Sequence, residues 1–207
     1  MPRVATDRSP SLVRVFGQPK MAALLFLGFS SGLPLFLTSR TLQAWMTVEN
    51  LDLTTVGLVS LLGLPYSFKF LWAPLVDRYV PPFLVRRRGW LVITQLALLL
   101  AIAAMALQDP RTGLQLLAVN ALLIAFFSAT QDIAVDAYRV DVLDEREMGA
   151  GASLHVLGYR IALLLTGGLA LVLADRMPWP TVYVLMAALM LVGILATLWA
   201  PEPVLNE

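Results

Sequence analysis

Six long apolar runs, at about residues 21–46, 55–76, 90–107, 114–139, 149–174 and 181–200, alternate with short stretches rich in charge, Pro and Gly. Each run is near the ~20 residues with which an α-helix crosses the hydrocarbon core, so each is predicted to be a spanning helix. In span 1, Gly28 and Gly32 have the small-xxx-small spacing that lets helix backbones approach closely, and Pro34 predicts a kink. Glu49, Asn50 and Asp52 form the following turn, and Thr54 is expected to cap span 2. The expected organisation is a tail at 1–20, a six-helix bundle at 21–200, and the start of a linker to a second half at 201–207.

Span 2 ends in Leu75-Val-Asp77-Arg78 and span 5 in Leu173-Ala-Asp175-Arg176, each followed by prolines and then an uncharged span. Spans 1–3 and 4–6 therefore read as two copies of a three-helix unit. Three is odd, so the copies have opposite orientation, an inverted repeat.

The totals agree with the pattern. The chain is 58% hydrophobic and 14% charged, against about a quarter charged in soluble domains. No cysteine is present, which removes thiol chemistry and disulfides, and one histidine makes no zinc cluster. Arg3, Arg8, Arg14, Lys20, Arg86, Arg87 and Arg88 lie in the tail and in the loop after span 2, whereas the loop after span 1 holds only acids. The positive-inside rule then puts both ends in the cytoplasm.

Charge is absent from spans 3 and 6, which are expected to face lipid, and present in spans 1, 2, 4 and 5, which are expected to surround a polar path. Ser128, Gln131, Asp132, Asp136 and Arg139 fall within an arc of about 140° on span 4. Counting 1.5 Å per residue puts Asp132 and His155 at roughly 9 Å from the cytoplasmic helix ends, Lys69 at roughly 13 Å and Arg160 at roughly 16 Å. These groups, with Asp136, make a candidate proton-coupling network, and an Asp132–Lys69 or Asp132–Arg160 pair is expected to lower the cost of burial. Asp136 and Arg139 also suit headgroup depth, Lys69 suits snorkelling, and His155 suits plain packing. Arg40 lies beyond the midplane. Arg40, Gln43 and Tyr66, with Gln131, Tyr159 and Arg160 nearer the cytoplasm, can bind hydroxyls, rings and carboxylates.

At these residues a family resemblance enters. Asp77-Arg78 followed by Arg86-Arg87-Arg88-Gly89 resembles the loop with which the major facilitator superfamily locks its cytoplasmic side, although Pro81-Pro82 lengthens it. Gly28-Phe-Ser-Ser-Gly-Leu-Pro34, Thr41-Leu-Gln-Ala-Trp-Met-Thr-Val-Glu-Asn50, Phe68-Lys-Phe-Leu-Trp72, Ser128-Ala-Thr-Gln-Asp-Ile133, Gly149-Ala-Gly-Ala152 and Leu157-Gly-Tyr-Arg160 resemble AmpG-type muropeptide permeases. The resemblance implies an all-α membrane protein with six transmembrane helices, one half of a major facilitator fold built from two inverted three-helix repeats. It implies proton-coupled import of GlcNAc-anhydroMurNAc peptides across the inner membrane for peptidoglycan recycling. The proton gradient supplies the energy with no cofactor. The implied partners are the muropeptide, protons, the bilayer and a second half of six or more helices, in the same polypeptide or another chain, with no nucleic acid.

Two other classes compete. Asp132-x-x-x-Asp136 has the spacing of metal-dependent prenyl- or phosphotransferases, which need a second acidic motif that no other span carries. A membrane sensor that transports nothing fits the same composition. The orientation has a direct test: Ser9→Cys and Val85→Cys are predicted to react with an impermeant thiol reagent only from the cytoplasmic side, and Asn50→Cys only from outside. Reversed labelling would overturn the orientation and every depth counted from it.

Overall fold

The structure is a computed structural model that describes residues 17–82 and 86–202, with Arg86 as backbone only. Arg3, Arg8 and Arg14 of the expected tail, the side chain of Arg86, and the expected linker from Pro203 lie outside the described residues. Among the described residues every regular element is helical, and six stretches are long and apolar enough to cross a membrane: Pro19–Val48, Leu53–Leu71, Arg87–Met105, Leu114–Val142, Glu145–Ala174 and Trp179–Trp199.

Two of the expected local signals act elsewhere than expected. Span 1 stays helical through Pro34 and breaks at Ser39. Pro34 removes one backbone donor. Hydroxyls of Thr38 and Ser39 then bond back to the carbonyls of Pro34 (2.9 Å) and Leu35 (2.6 Å), competing with the helix ladder one turn later. The cap of span 2 is Asp52 and not Thr54: its carboxylate accepts from the Thr55 N–H (2.9 Å) and hydroxyl (2.6 Å). The Thr55 hydroxyl and then its N–H hold the Asp52 carboxyl below its ordinary pKa. Asn50 supplies the turn before it with φ 59°, a left-handed conformation that asparagine tolerates.

Span 2 is the least regular. It alternates α-helix with 3₁₀ turns at Val59–Gly63 and Lys69–Leu71, then continues as Ala73–Arg78. Pro65 and Pro74 each delete an N–H from the ladder, which explains why no single α-helix forms there. Span 4 is one helix that runs on to Val142, past the expected end at 139, so Asp141 belongs to the helix and not to the stretch between spans 4 and 5. Span 5 carries a π-turn at Leu165–Leu169 around Gly167-Gly168. The Thr41 hydroxyl donates to the Thr166 carbonyl there (2.5 Å), joining the irregular parts of spans 1 and 5.

Span 1 packs on span 5 and span 4 on span 2; span 3 packs on span 4 and span 6 on span 1; spans 1 and 4 meet, as do spans 3 and 6. Exchanging spans 1–3 with 4–6 maps this pattern onto itself, as the inverted repeat requires. The tightest seam is glycine-made. A Cβ on Gly28 would strike the His155 carbonyl, one on Gly158 the Leu25 carbonyl, and one on Gly32 would come 2.6 Å from the Tyr159 carbonyl.

Two apolar clusters fill the bundle. One includes Leu33, Trp45, Leu98, Ile124, Tyr183 and Met190; the other includes Leu24, Leu27, Leu91, Val135, Tyr138 and Ala200. Between them in sequence on spans 1, 3, 4 and 6 lie the fully buried polar side chains Ser30, Gln95, Ser128, Gln131 and Thr197. A polar layer therefore divides the core. Spans 3 and 6 turn Leu96, Leu100, Leu185, Leu191 and Leu195 outward as expected, but spans 2 and 5 also expose Leu58, Leu61, Phe70, Leu75, Leu157, Leu164 and Val172.

Gly158→Leu is predicted to destabilise the detergent-solubilised protein by at least about 1–3 kcal/mol, because a whole side chain must fit where two backbones touch. Gly57→Leu, where a Cβ meets nothing within 4 Å, serves as the control. Equal melting temperatures for the two variants would remove the seam from the account.

Candidate functional site

The polar layer opens into a cluster shared by spans 1, 2, 4 and 5. Gln131 turns its amide nitrogen to span 1, donating to the hydroxyls of Ser30 (3.2 Å) and Ser31 (3.3 Å). Its carbonyl oxygen, the Ser128 hydroxyl and the Tyr66 hydroxyl are buried with no hydrogen-bond partner within 3.5 Å, the two hydroxyls facing each other at longer range. Buried polar atoms in native folds are nearly always bonded, so three orphans side by side mark a place for a ligand or water. The Tyr66 hydroxyl lies among Ser128, Asp132 and Tyr159. On the other side of span 4, Trp72 of span 2 donates its indole N–H to Thr130 (3.1 Å) and stacks near Phe126, holding the irregular span in place.

The ion pairs differ from those expected. Asp136, not Asp132, takes both cations: Arg139 at 3.2 Å and Lys69 at 3.9 Å. Arg139 is one turn along the same helix, and the 3₁₀ turn at Lys69–Leu71 carries Lys69 to the same level. Asp132 has no ion pair among the described residues, although Lys69 and Asp136 are its nearest charges. His155 faces Asp136 and Arg139, with its ring 6.5 Å from Tyr159 and its Nδ1 buried and unpartnered. The expected Asp132–Arg160 pair is absent among the described residues: Arg160 is exposed and makes none there.

The structure thus brings together Tyr66, Lys69, Gln131, Asp132, Asp136, His155 and Tyr159. Arg40 is exposed and Gln43 half-buried, and neither side chain bonds to this cluster. Arg40 lies nine positions after Ser31, beyond the break at Ser39, which is about 13 Å at helical rise. Among the described residues no group of three or more His, Asp or Glu could hold a metal. Asp136 meets cations instead.

At the end of the bundle near residues 77–90, Arg87 sits between Asp77 (2.5 Å) and Asp141 (2.7 Å) and so ties span 2 to span 4. Arg88 reaches span 6, donating to the carbonyls of Thr197 (3.0 Å) and Leu198 (2.7 Å) and pairing with Glu202 (2.9 Å). It satisfies carbonyls that a helix C-terminus leaves open. Arg78, grouped with these in the sequence, is exposed and makes no ion pair among the described residues. Lys20 and Gln18 both bond to Glu147, tying the start of span 1 to that of span 5. At the opposite end Arg111 pairs with Glu49 (2.6 Å), and Trp45 stacks with Trp179 (centroids 6.0 Å).

Sequence reasoning missed Asp141, Ser30, Ser31, Gln95 and Thr197. The uninterrupted helical pattern after Arg139 could have kept Asp141 on span 4. Nothing in a lone Ser, Thr or Gln within an apolar run tells whether it faces a neighbour.

The sequence profile of the Major Facilitator Superfamily matches residues 24–207. The anhydromuropeptide permease of Escherichia coli (strain K12) is 60% identical over 196 residues, which is 94% of this chain and 40% of that protein. An uncharacterized protein of Haemophilus influenzae is 51% identical over 185 residues, covering 89% of the chain and 44% of the relative. The putative transporter AmpG 1 of Rickettsia conorii is 32% identical over 180 residues, covering 85% and 43%. The chain spans about two fifths of the length of these relatives. Six apolar spans, an inverted-repeat packing and a profile match over most of the chain make it a multi-pass membrane protein of the Major Facilitator Superfamily.

Proposed function

We propose that this chain is the N-terminal bundle of a proton-coupled importer of anhydromuropeptides, a transporter and not an enzyme. The observation that carries the reading is the cluster around Asp132. A carboxylate without an ion pair stands beside the Asp136–Lys69–Arg139 group and the unpartnered atoms of Tyr66, Ser128 and Gln131. A group so placed can take up a proton, and the unpartnered atoms can bond a ligand's hydroxyls and amides. Identity of 60% to a permease named for anhydromuropeptide supports that substrate class.

A second bundle completes the path. Spans 2 and 5 leave long apolar faces open, and Arg40 and Arg160 stand exposed with no ion pair among the described residues. Bare arginines in hydrocarbon are costly, so they are suited to an aqueous route between two halves, where a peptide carboxylate would meet them. The Arg87 and Arg88 contacts lie at the cytoplasmic end in this reading and close it. The second half follows residues 201–207 or comes from another chain. The membrane is the inner membrane, the N-terminus is cytoplasmic, and the proton gradient drives uptake without a cofactor.

Asp132→Asn keeps shape and hydrogen bonding but removes the titratable charge. In vesicles holding the complete transporter it is predicted to insert normally and lose pH-gradient-driven uptake of GlcNAc-anhydroMurNAc peptide. It should retain exchange of the same substrate without a gradient. Full gradient-driven accumulation by this variant would reduce Asp132 to a structural residue.

A further inference from the structure

Span 2 meets span 4 through a turn that its own backbone secures poorly. A 3₁₀ helix has weaker hydrogen-bond geometry than an α-helix, so the three residues Lys69–Leu71 need support from outside the turn. Trp72 supplies it from the position that ends the turn. Its backbone N–H bonds the Lys69 carbonyl at 3.3 Å. Its indole N–H donates to the Thr130 hydroxyl of span 4 at 3.1 Å, and its ring packs against Phe126 with centroids 5.0 Å apart. The direction of that bond is settled. An indole nitrogen only donates, and the Thr130 hydroxyl gives its one proton to the Phe126 carbonyl at 2.8 Å.

Residues three apart on a 3₁₀ helix eclipse, so Lys69 and Trp72 share the side that faces span 4. Lys69 reaches Asp136 there at 3.9 Å, while Trp72 holds Thr130, six positions earlier and about 120° round the same helix. Span 2 is thus fastened to span 4 at two points, one neutral and one charged. Thr130 is 4% exposed, whereas half of the Asp136 side chain is exposed. A half-exposed ion pair holds little by itself, so the buried hydrogen bond sets where the ion pair forms. Asp136 is faced by Asp132 and Arg139 of its own helix, by Lys69 of span 2 and by His155 of span 5. Lys69 therefore has two carboxylates near it, one helical turn apart, and pairs with one.

We propose that Trp72 is a positioning residue: by bonding the Lys69–Leu71 turn to Thr130 it commits Lys69 to Asp136 and leaves Asp132 bare. A lysine released from this hold has Asp132 one turn back on span 4, and pairing there would occupy the carboxylate that takes up the proton. The consequence for coupling rests on the transport reading, but the placement of Lys69 does not.

Two measurements test it. The first uses no substrate. Lys20 and Lys69 are the two lysines of the chain, and Lys20, paired with Glu147 far from this turn, serves as the internal reference. The detergent-solubilised protein is acetylated with a water-soluble reagent, and the Lys69 to Lys20 ratio is read by mass spectrometry. Asp136→Asn, Trp72→Phe and Thr130→Val each raise that ratio about two- to fivefold, as freeing a half-exposed ammonium should. Thr130→Ser keeps the acceptor and stays at the wild-type ratio. Adding Trp72→Phe to Asp136→Asn gives no further rise, because both act on one pair. An unchanged ratio in Trp72→Phe, or a multiplied one in the double variant, overturns the positioning and leaves Trp72 a packing residue. If Trp72→Phe does not fold, Thr130→Val against Thr130→Ser decides the same point. The second is uptake of GlcNAc-anhydroMurNAc peptide by the complete transporter in vesicles. Trp72→Phe and Thr130→Val each lower gradient-driven uptake about fivefold, the effect of one lost hydrogen bond, and keep gradient-free exchange within about twofold. Equal loss of both overturns the link to Asp132. Wild-type vesicles that take up no muropeptide overturn the transport reading, and the acetylation ratios then decide the placement of Lys69 by themselves.

Discussion

The approach of spans 1 and 5 sets everything around it. Lipid is as apolar as leucine, so helices in a bilayer gain little by hiding leucines from it, and close backbone packing must supply what the hydrophobic effect does not. Gly28 and Gly32 on one side and Gly158 on the other let carbonyls and Cα atoms touch. The consequence is chemical as well as mechanical. His155 and Tyr159 sit at the seam itself, so the register that fits glycine to backbone also carries their side chains toward Asp136 and Asp132.

The polar side chains meet a second constraint, that burial costs least where a group is bonded. Neutral amides and hydroxyls make up the layer through spans 1, 3, 4 and 6, where they can be buried at modest cost once bonded. Charges stay on spans 2, 4 and 5 and at the helix ends. Asp136 balances Lys69 and Arg139, while Arg87 is held by two carboxylates at once. Away from the helix ends, where Arg88 meets span 6, full charge is thus confined to the open side of the bundle, and the core between spans 3 and 6 carries neutral groups.

Much of this could be read from the residues. The length of the apolar runs marks six spans because the bilayer sets that length, and Asp132, Asp136, Lys69 and His155 stand out because ionisable groups are rare in such runs. The small-xxx-small pair Gly28 and Gly32 named the right face of span 1. What could not be read is which neighbour answers which group. Lys69 reaches Asp136 because a 3₁₀ turn places it there, and no periodicity argument assumes such a turn. Gln95 and Thr197 are ordinary polar interruptions until spans 3 and 6 are seen to meet. The break at Ser39 depends on hydroxyl bonds that compete closely with the helix ladder. Arg40 and Gln43, expected to bind the same ligand as Tyr66, make no bond to the cluster.

The two repeats depart from α-helical winding in opposite directions where they should be equivalent, one tighter and one looser. Span 2 is tightened by eight 3₁₀ residues, Val59–Gly63 and Lys69–Leu71, while its counterpart span 5 is loosened by a π-turn at Leu165–Leu169. At about 2.0 Å of rise per 3₁₀ residue against about 1.5 Å for an α-helix, span 2 gains about 4 Å of reach for the same number of residues. A two-fold axis in the membrane plane would place matching residues of spans 2 and 5 at mirror depths, and unequal winding displaces them by most of a helical turn. The bundle is built from a symmetric plan, but its two faces toward the water are not interchangeable.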